Sequence, residues 1–142
     1  MRTVTRWTVC LIMPAALAVA GCGVKTMPTP TTYPVNGTVM LGSRPLAGGR
    51  LTLTPVDASQ YGPAEATADV KPDGTFEPSA VGGSPGLMPG LWKVVVSATG
   101  YRDGKPYRVR EAIPAKYTRE DTTDLVIEVS AGTNAPTLVL KP

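Results

Sequence analysis

The densest group of residues that could contact a ligand lies between positions 101 and 119. Arginine and lysine side chains attract anions, and tyrosine rings stack on sugars and on cations. Only Asp103 and Glu111 oppose the cations before Glu120. Two interpretations follow: a solvated hairpin whose tyrosines cap the core, which is expected, or a surface that binds carbohydrate or an anionic polymer, which is the alternative. The candidate contacts for the alternative are Tyr101, Arg102, Lys105, Tyr107, Arg108 and Arg110.

Residues for catalysis or metal binding are sparse. The chain has no histidine, so the commonest general base and the commonest metal ligand are both missing. Asp69, Asp73 and Glu77 surround a predicted turn and could offer oxygen ligands to calcium, but their spacing does not match a calcium loop. Six serines occur without a motif that would supply a base. We therefore expect a protein that is not an enzyme, with no metal site and no cofactor.

The first 22 residues carry a different kind of chemistry. Arg2 and Arg6 precede an apolar run at residues 7–20, which is shorter than the roughly 20 residues that a membrane-spanning helix needs. The run ends in Val-Ala-Gly-Cys at residues 19–22, and small residues before a cysteine give signal peptidase access to the backbone. This stretch resembles the lipobox of bacterial lipoproteins.

The lipobox resemblance implies cleavage between Gly21 and Cys22 and lipidation of Cys22. Residues 1–21 would then be a signal peptide, and the acylated cysteine would anchor the chain to membrane lipid. Gly23 stands where an aspartate would favour inner-membrane retention, so the resemblance favours the outer membrane. An uncleaved apolar anchor and a secreted protein with an incidental Cys22 are the alternatives.

Residues 22–33 are rich in proline and threonine and are predicted to be an extended, lipidated tether. The net charge of the chain is +3, and the leader holds two of the arginines, which leaves +3 − 2 = +1 after cleavage. A charge this balanced does not favour nucleic acid as a partner. An envelope protein or a polysaccharide is the expected class of partner.

From residue 34 to residue 142 the apolar residues alternate with polar ones, which predicts β-strands. The longest strand-forming run is at residues 91–98, where Trp92, Val94 and Val96 share one face. Because its other face is also partly apolar, we expect this strand in the middle of a sheet. Asp73-Gly74 and Asp103-Gly104 are hairpin signals, and the second predicts that residues 107–112 pair back on residues 91–98.

Turn signals recur about every ten residues, and no helix is expected after the leader. This pattern predicts an all-β fold, a seven- to eight-stranded antiparallel β-sandwich of transthyretin-like or Ig-like type, formed after cleavage of the signal peptide.

Four short motifs resemble the carboxypeptidase regulatory-like domain. They lie at residues 34–39, 44–51, 73–76 and 89–94, and the later part of the chain is similar to small lipoproteins abundant in planctomycetes. The resemblance implies a transthyretin-like sandwich over residues 34–142 and carries no catalytic residue with it. The chain departs from the family in having Val-Lys-Pro at residues 70–72 and Trp92 in place of a tyrosine.

These features together predict a lipoprotein anchored to a membrane of the cell envelope, facing the periplasm or in the outer membrane. Its β-sandwich is expected to be a non-catalytic structural or binding module. The alternative is a module that binds carbohydrate or an anionic polymer through residues 101–119.

Overall fold

The computed structural model describes residues 30–61, 64–80 and 83–142. These residues form short β-strands with one helical turn and one 3₁₀ turn, which confirms the all-β class. In chain order the elements are β1 Gly37–Leu41, β2 Arg44–Pro45, β3 Arg50–Pro55, α1 Ala58–Tyr61, β4 Ala66–Asp69, β5 Thr75–Phe76, β6 Ser79–Ala80, β7 Gly90–Ser97, β8 Thr99–Arg102, β9 Lys105–Arg108, the 3₁₀ turn Ala115–Thr118, β10 Val126–Val129 and β11 Thr137–Leu140.

The single turn of helix α1 departs from the prediction that no helix follows the leader. Asp57 precedes the helix, and its carboxylate accepts hydrogen bonds from both the backbone N–H and the hydroxyl of Ser59. An aspartate at this position satisfies one of the N–H groups that a helix start leaves free. The capping residue therefore allows one helical turn in a loop that lacks a helical repeat of apolar residues.

The longest strand, β7, lies inside a five-stranded sheet with the order β10-β7-β3-β4-β6. Its neighbours β3 and β10 both run antiparallel to it. Trp92, Val94 and Val96 are buried on its inner face, whereas Leu91 on the other face is 50% exposed. The predicted central position of this strand is confirmed, although in the described part of the chain its outer face stays half open to solvent.

A four-stranded sheet is built around β1. Strand β11 pairs with one edge of β1, while β2 and β5 follow one another along the other edge. The β1–β11 pair is parallel, so the prediction of purely antiparallel pairing is wrong at this edge. The cause is the turn after β10, where Asn134 bonds to Pro34 and starts β11 beside the beginning of β1.

The Asp73-Gly74 turn forms as predicted, but its returning arm does not simply pair with β4. The first part of the arm, β5, pairs with β1 in the four-stranded sheet, and the second part, β6, pairs with β4 in the five-stranded sheet. Phe76 is fully buried between these two pairings. The chain thus passes from one sheet to the other immediately after a tight turn.

The two large sheets share one hydrophobic core. The buried cluster takes side chains from the inner positions of both sheets and from the loops between them. The largest fully buried side chains are Trp92, Phe76, Leu46, Leu51, Leu53, Leu87 and Leu140. Trp92 also donates a hydrogen bond from its indole Nε1 to the carbonyl oxygen of Met88, at 2.9 Å, so its polar atom is satisfied inside the core.

Strands β8 and β9 form a separate two-stranded hairpin. Residues 105–108 pair with residues 99–102, whereas the prediction paired residues 107–112 with residues 91–98. The reason is that β7 already has β3 and β10 on its two edges. In addition, Asp103 and Gly104 have φ angles of 52° and 73°, which suit a two-residue loop, and such a loop pairs the residues that directly flank it.

Candidate functional site

The β8–β9 hairpin, called the basic hairpin below, lies at one end of the body. The chain joins the body at Tyr33 and Pro34, and this place, called the chain entry below, is at the opposite end. Strand β1 begins beside the entry at Pro34 and ends at Leu41, and β5 runs antiparallel to it from the turn at residues 71–74. That turn therefore lies at the end of the body where Leu41 is, and β4, which ends just before the turn, also ends there. Because β7 and β4 are both antiparallel to β3, β7 ends at the same side, and the hairpin continues from there.

The basic hairpin is attached to the body through the hydroxyl of Tyr107. This hydroxyl accepts a hydrogen bond from the backbone N–H of Gly49 at 3.1 Å and donates one to the carbonyl oxygen of Val70 at 3.4 Å. Close approach requires glycine, since a Cβ on Gly100 would lie 2.8 Å from the carbonyl oxygen of Gly49. The attachment fixes the hairpin over the start of β3 and the end of β4.

The six candidate contacts are divided between the two faces of the hairpin. Arg102 pairs with Lys105, and Gly100 pairs with Tyr107, which places Arg102, Lys105 and Tyr107 on one face. Tyr101 pairs with Pro106, and Thr99 pairs with Arg108, so Tyr101 and Arg108 lie on the other face. Arg110 follows β9 and is exposed. The structure therefore joins these residues in one ribbon without bringing all six to one surface.

Each tyrosine of this stretch has a contact of its own. The guanidinium of Arg102 lies 4.8 Å from the centroid of the Tyr107 ring, and that of Arg50 lies 4.8 Å from the centroid of the Tyr101 ring. Tyr117 is only 2% exposed, and its hydroxyl accepts a hydrogen bond from the N–H of Lys141 at 3.0 Å. Tyr101, at 45% exposure, is thus the most accessible of the three.

The three cations of the basic hairpin and Arg110 are exposed, and none of them has an acidic partner among the described residues. The ion pairs in the described part of the chain join Arg50 to Asp69, Lys71 to Glu77, Lys116 to Asp124 and Arg119 to Asp121. Arg102, Lys105, Arg108 and Arg110 take part in none of these. With Asp103 and Glu111 counted, residues 101–111 carry four positive and two negative charges, a local excess of two. Arg44 and Lys141 lie at the same end of the body and are also exposed.

The three acidic residues that the sequence placed near the first turn are engaged separately. Asp69 lies against Arg50, with 3.4 Å between Oδ1 and Nε, and it also accepts a hydrogen bond from the N–H of Tyr101. Hydrogen bonds from the hydroxyl and N–H of Thr75 hold the pKa of Asp73 below its usual value. Glu77 pairs with Lys71. Across residues 30–61, 64–80 and 83–142, no group of three or more His, Cys, Asp or Glu side chains could hold a metal ion.

A shallow groove of about 290 Å³ lies at the chain-entry end. Its lining includes three prolines, at positions 34, 78 and 85, and the polar residues Thr32, Asn36 and Glu77. Glu77 is its charged side chain, and Lys71 already neutralises it. The groove therefore offers few groups that could fix the orientation of a ligand.

Gly21 and Cys22, the predicted cleavage and lipidation residues, lie outside the described residues. Of the predicted tether, residues 30–33 are described, and the last two are bound to the body. Thr32 donates a hydrogen bond from its hydroxyl to the carbonyl oxygen of Pro85, and Tyr33 exchanges two backbone hydrogen bonds with Leu87. In the described ranges, no helix has the length and apolar character needed to cross a membrane.

Sequence reasoning did not anticipate the residues that position the hairpin. Gly48, Gly49, Asp69 and Val70 all lie more than 25 positions before it in the chain. In the sequence, the pair Gly48-Gly49 was a signal of a close backbone approach. In the structure their φ angles are 134° and 99°, which favour glycine.

Comparison of the chain with protein-family models, with curated proteins and with solved structures found no match. The resemblance to the carboxypeptidase regulatory-like domain therefore stays a prediction.

Proposed function

We propose that the chain is a lipoprotein of the cell envelope, anchored through Cys22, whose folded part is a non-catalytic structural or binding module. We further propose that the two large sheets face each other as a β-sandwich of transthyretin-like or Ig-like type. Support for the sandwich comes from the single core that both sheets share. Support for the anchor comes from the lipobox-like residues 19–22.

The observation that carries this proposal is the position of the chain entry relative to the basic hairpin. The chain enters at one end of the body, where Tyr33 bonds to Leu87, and the hairpin extends from the other end. Residues 23–31 would span about 28 Å as an extended linker at ~3.1 Å per residue. A lipid at Cys22 would therefore hold the entry end towards the bilayer and present the hairpin away from it.

A second candidate function is binding of carbohydrate or an anionic polymer by the basic hairpin. The specific observation in its favour is the set of four exposed cations that form no ion pair within residues 30–61, 64–80 and 83–142. Since surface charges attract a ligand of opposite sign over about 8 Å at physiological salt, such a cluster can concentrate anions at its surface. This function is compatible with lipid anchoring and does not replace it.

The test of the anchor is the chemistry of the mature N-terminus in the native host. We expect mass spectrometry to find chains that begin at Cys22 with a diacylglyceryl group, and globomycin to cause accumulation of the uncleaved precursor. A Cys22→Ser variant is the control and should yield no N-terminal peptide with a diacylglyceryl group. An intact leader together with a free thiol at position 22 would refute the proposal.

A further inference from the structure

We infer that the free edge of strand β9 binds a linear anionic polysaccharide, held by Lys105, Arg108 and Arg110 with Arg102 beside them. This inference rests on the second candidate function and specifies its ligand. The binding element is the outer edge of the hairpin and the cations on either side of it, and the tyrosine rings are not the contact surface.

The pairing register determines what the free edge presents. Val109 donates its N–H to the carbonyl oxygen of Ala98, which makes residues 98 and 109 a hydrogen-bonded pair. Pairs alternate along an antiparallel ladder, so the backbone of Pro106 and Arg108 points to the free edge. Pro106 has no N–H, and a strand edge without this donor is a poor template for another β-strand. A protein partner that adds a strand here is therefore disfavoured.

Cations border this edge on both faces of the ribbon. Lys105 projects from one face and Arg108 from the other, and Arg110 follows along the same chain. The distance from residue 105 to residue 108 is about 10 Å along a strand. The N–H of Arg108 adds a backbone donor between them. A polymer with a carboxylate or sulfate on successive sugar units could meet several of these groups in turn, and arginine binds both anions through paired N–H groups.

The tyrosines argue against a neutral sugar as the ligand. The hydroxyl of Tyr107 is used to attach the hairpin to the body, and Arg102 lies over its ring. Tyr117 is buried. Tyr101 alone is widely exposed among these three, and Arg50 lies over one face of its ring. A single partly covered ring provides little stacking area. The four cations, which form no ion pair in the part of the chain that the structure describes, favour an anion.

Two other classes of polyanion fit less well. A membrane surface would have to approach the end of the body that lies away from the chain entry and its proposed anchor. Nucleic acid is disfavoured because the net charge without the leader arginines is only +1. A linear anionic polysaccharide meets neither objection.

The experiment titrates the full chain, in a nonionic detergent, into fluorescently labelled dextran sulfate, polygalacturonate and neutral dextran. Dextran and dextran sulfate share a backbone, so their comparison isolates the anion. We expect binding to both anionic polymers, weakening as salt rises, and none to dextran. Glycerol phosphate, the soluble headgroup of phosphatidylglycerol, and a duplex DNA are the competing anions, and both are expected to bind at least tenfold more weakly.

The variants test which residues carry the binding. Arg108→Glu with Arg110→Glu should weaken dextran sulfate binding about tenfold or more. Lys116→Glu with Arg119→Glu makes the same change in net charge at exposed cations outside the hairpin and should change it less than about twofold. Tyr101→Ser should also leave it within about twofold. Thermal melts of each variant establish that the fold is kept.

Equal binding to neutral dextran, tighter binding to glycerol phosphate or DNA, or unchanged binding by the Arg108→Glu, Arg110→Glu variant would overturn the inference. A loss of binding in Tyr101→Ser would favour sugar stacking and would overturn it as well. None of these results bears on the mature N-terminus, so the proposed lipid anchor would stand or fall separately.

Discussion

Tyr101 and Tyr107 show how two residues of one type, six positions apart, take different tasks. The hydroxyl of Tyr107 satisfies the buried N–H of Gly49 and reaches the carbonyl of Val70. Tyr101 contributes its ring to a contact with Arg50, while its side chain stays 45% exposed. One tyrosine therefore positions the basic hairpin, and the other covers the surface beside it.

At this scale we predict that Tyr107→Phe lowers the free energy of unfolding by about 1 kcal/mol, because it removes a hydrogen bond and leaves the Gly49 N–H without its acceptor. Tyr101→Phe is the matched control and should change it by less than about 0.5 kcal/mol. Urea unfolding of both variants measures the difference. Equal effects of the two substitutions would show that the hydroxyl of Tyr107 does not hold the hairpin.

At the scale of an element, strand β7 has alternating residues that determine which of its side chains stabilise the core. Its alternation places Trp92, Val94 and Val96 in the core and leaves Leu91 half exposed on the other face. The strand also joins β3 and β10, so it supports both neighbours through backbone hydrogen bonds. The basic hairpin continues directly from its end, and the position of the candidate site therefore depends on this strand.

We predict that Trp92→Ala destabilises the fold by about 3–5 kcal/mol, since it removes a large buried ring and leaves a cavity. Leu91→Ala, on the adjacent residue of the same strand, should cost less than about 1 kcal/mol because half of that side chain already contacts water. Urea unfolding followed by far-UV circular dichroism is suitable, as it does not depend on the tryptophan. A comparable loss in both variants would contradict the assignment of the inner face.

At the scale of the whole molecule, exposed carboxylates in turns and loops make the free energy of unfolding depend on pH. Hydrogen bonds from Ser59 lower the pKa of Asp57, those from Thr75 lower the pKa of Asp73, and the bond from Lys116 lowers the pKa of Asp124. Each folded pKa lies below the unfolded one. The stabilisation is therefore complete above the unfolded pKa, about 4, and is lost as the pH falls through the folded value.

We expect the urea midpoint to be level near neutral pH and to fall below about pH 4. Asp73→Asn with Asp124→Asn should lower the midpoint at neutral pH and flatten its fall in acid. Asp103→Asn is the control, because that exposed carboxylate has no hydrogen bond or ion pair among the residues the structure describes. If the urea midpoint falls below about pH 4 in the same way in the double variant and in the wild type, these contacts do not form in solution.

Local patterns were sufficient for the strands and turns of this protein. Alternation at residues 35–41, 51–54, 91–98 and 125–129 marks true strands, and Asp-Gly at 73–74 and 103–104 marks true turns, because a strand face and a positive φ angle depend on residues near in sequence. The basic and aromatic composition of residues 101–119 likewise needs no structure to be noticed. The prediction that Cys22 is lipidated also rests on its neighbours alone, and it stays a prediction.

Only the tertiary structure decided how these pieces meet. Three contacts join residues that are far apart in the chain. They are the parallel pairing of β1 with β11, the pairing of β5 and β6 with strands of different sheets, and the hydrogen bond between Tyr107 and Gly49. Such contacts form because a strand with both edges occupied sends later segments elsewhere, and because one core must cover the inner faces of two sheets. The division of the cations between two faces of the hairpin, and its place opposite the chain entry, follow from that packing and are not encoded in any short stretch.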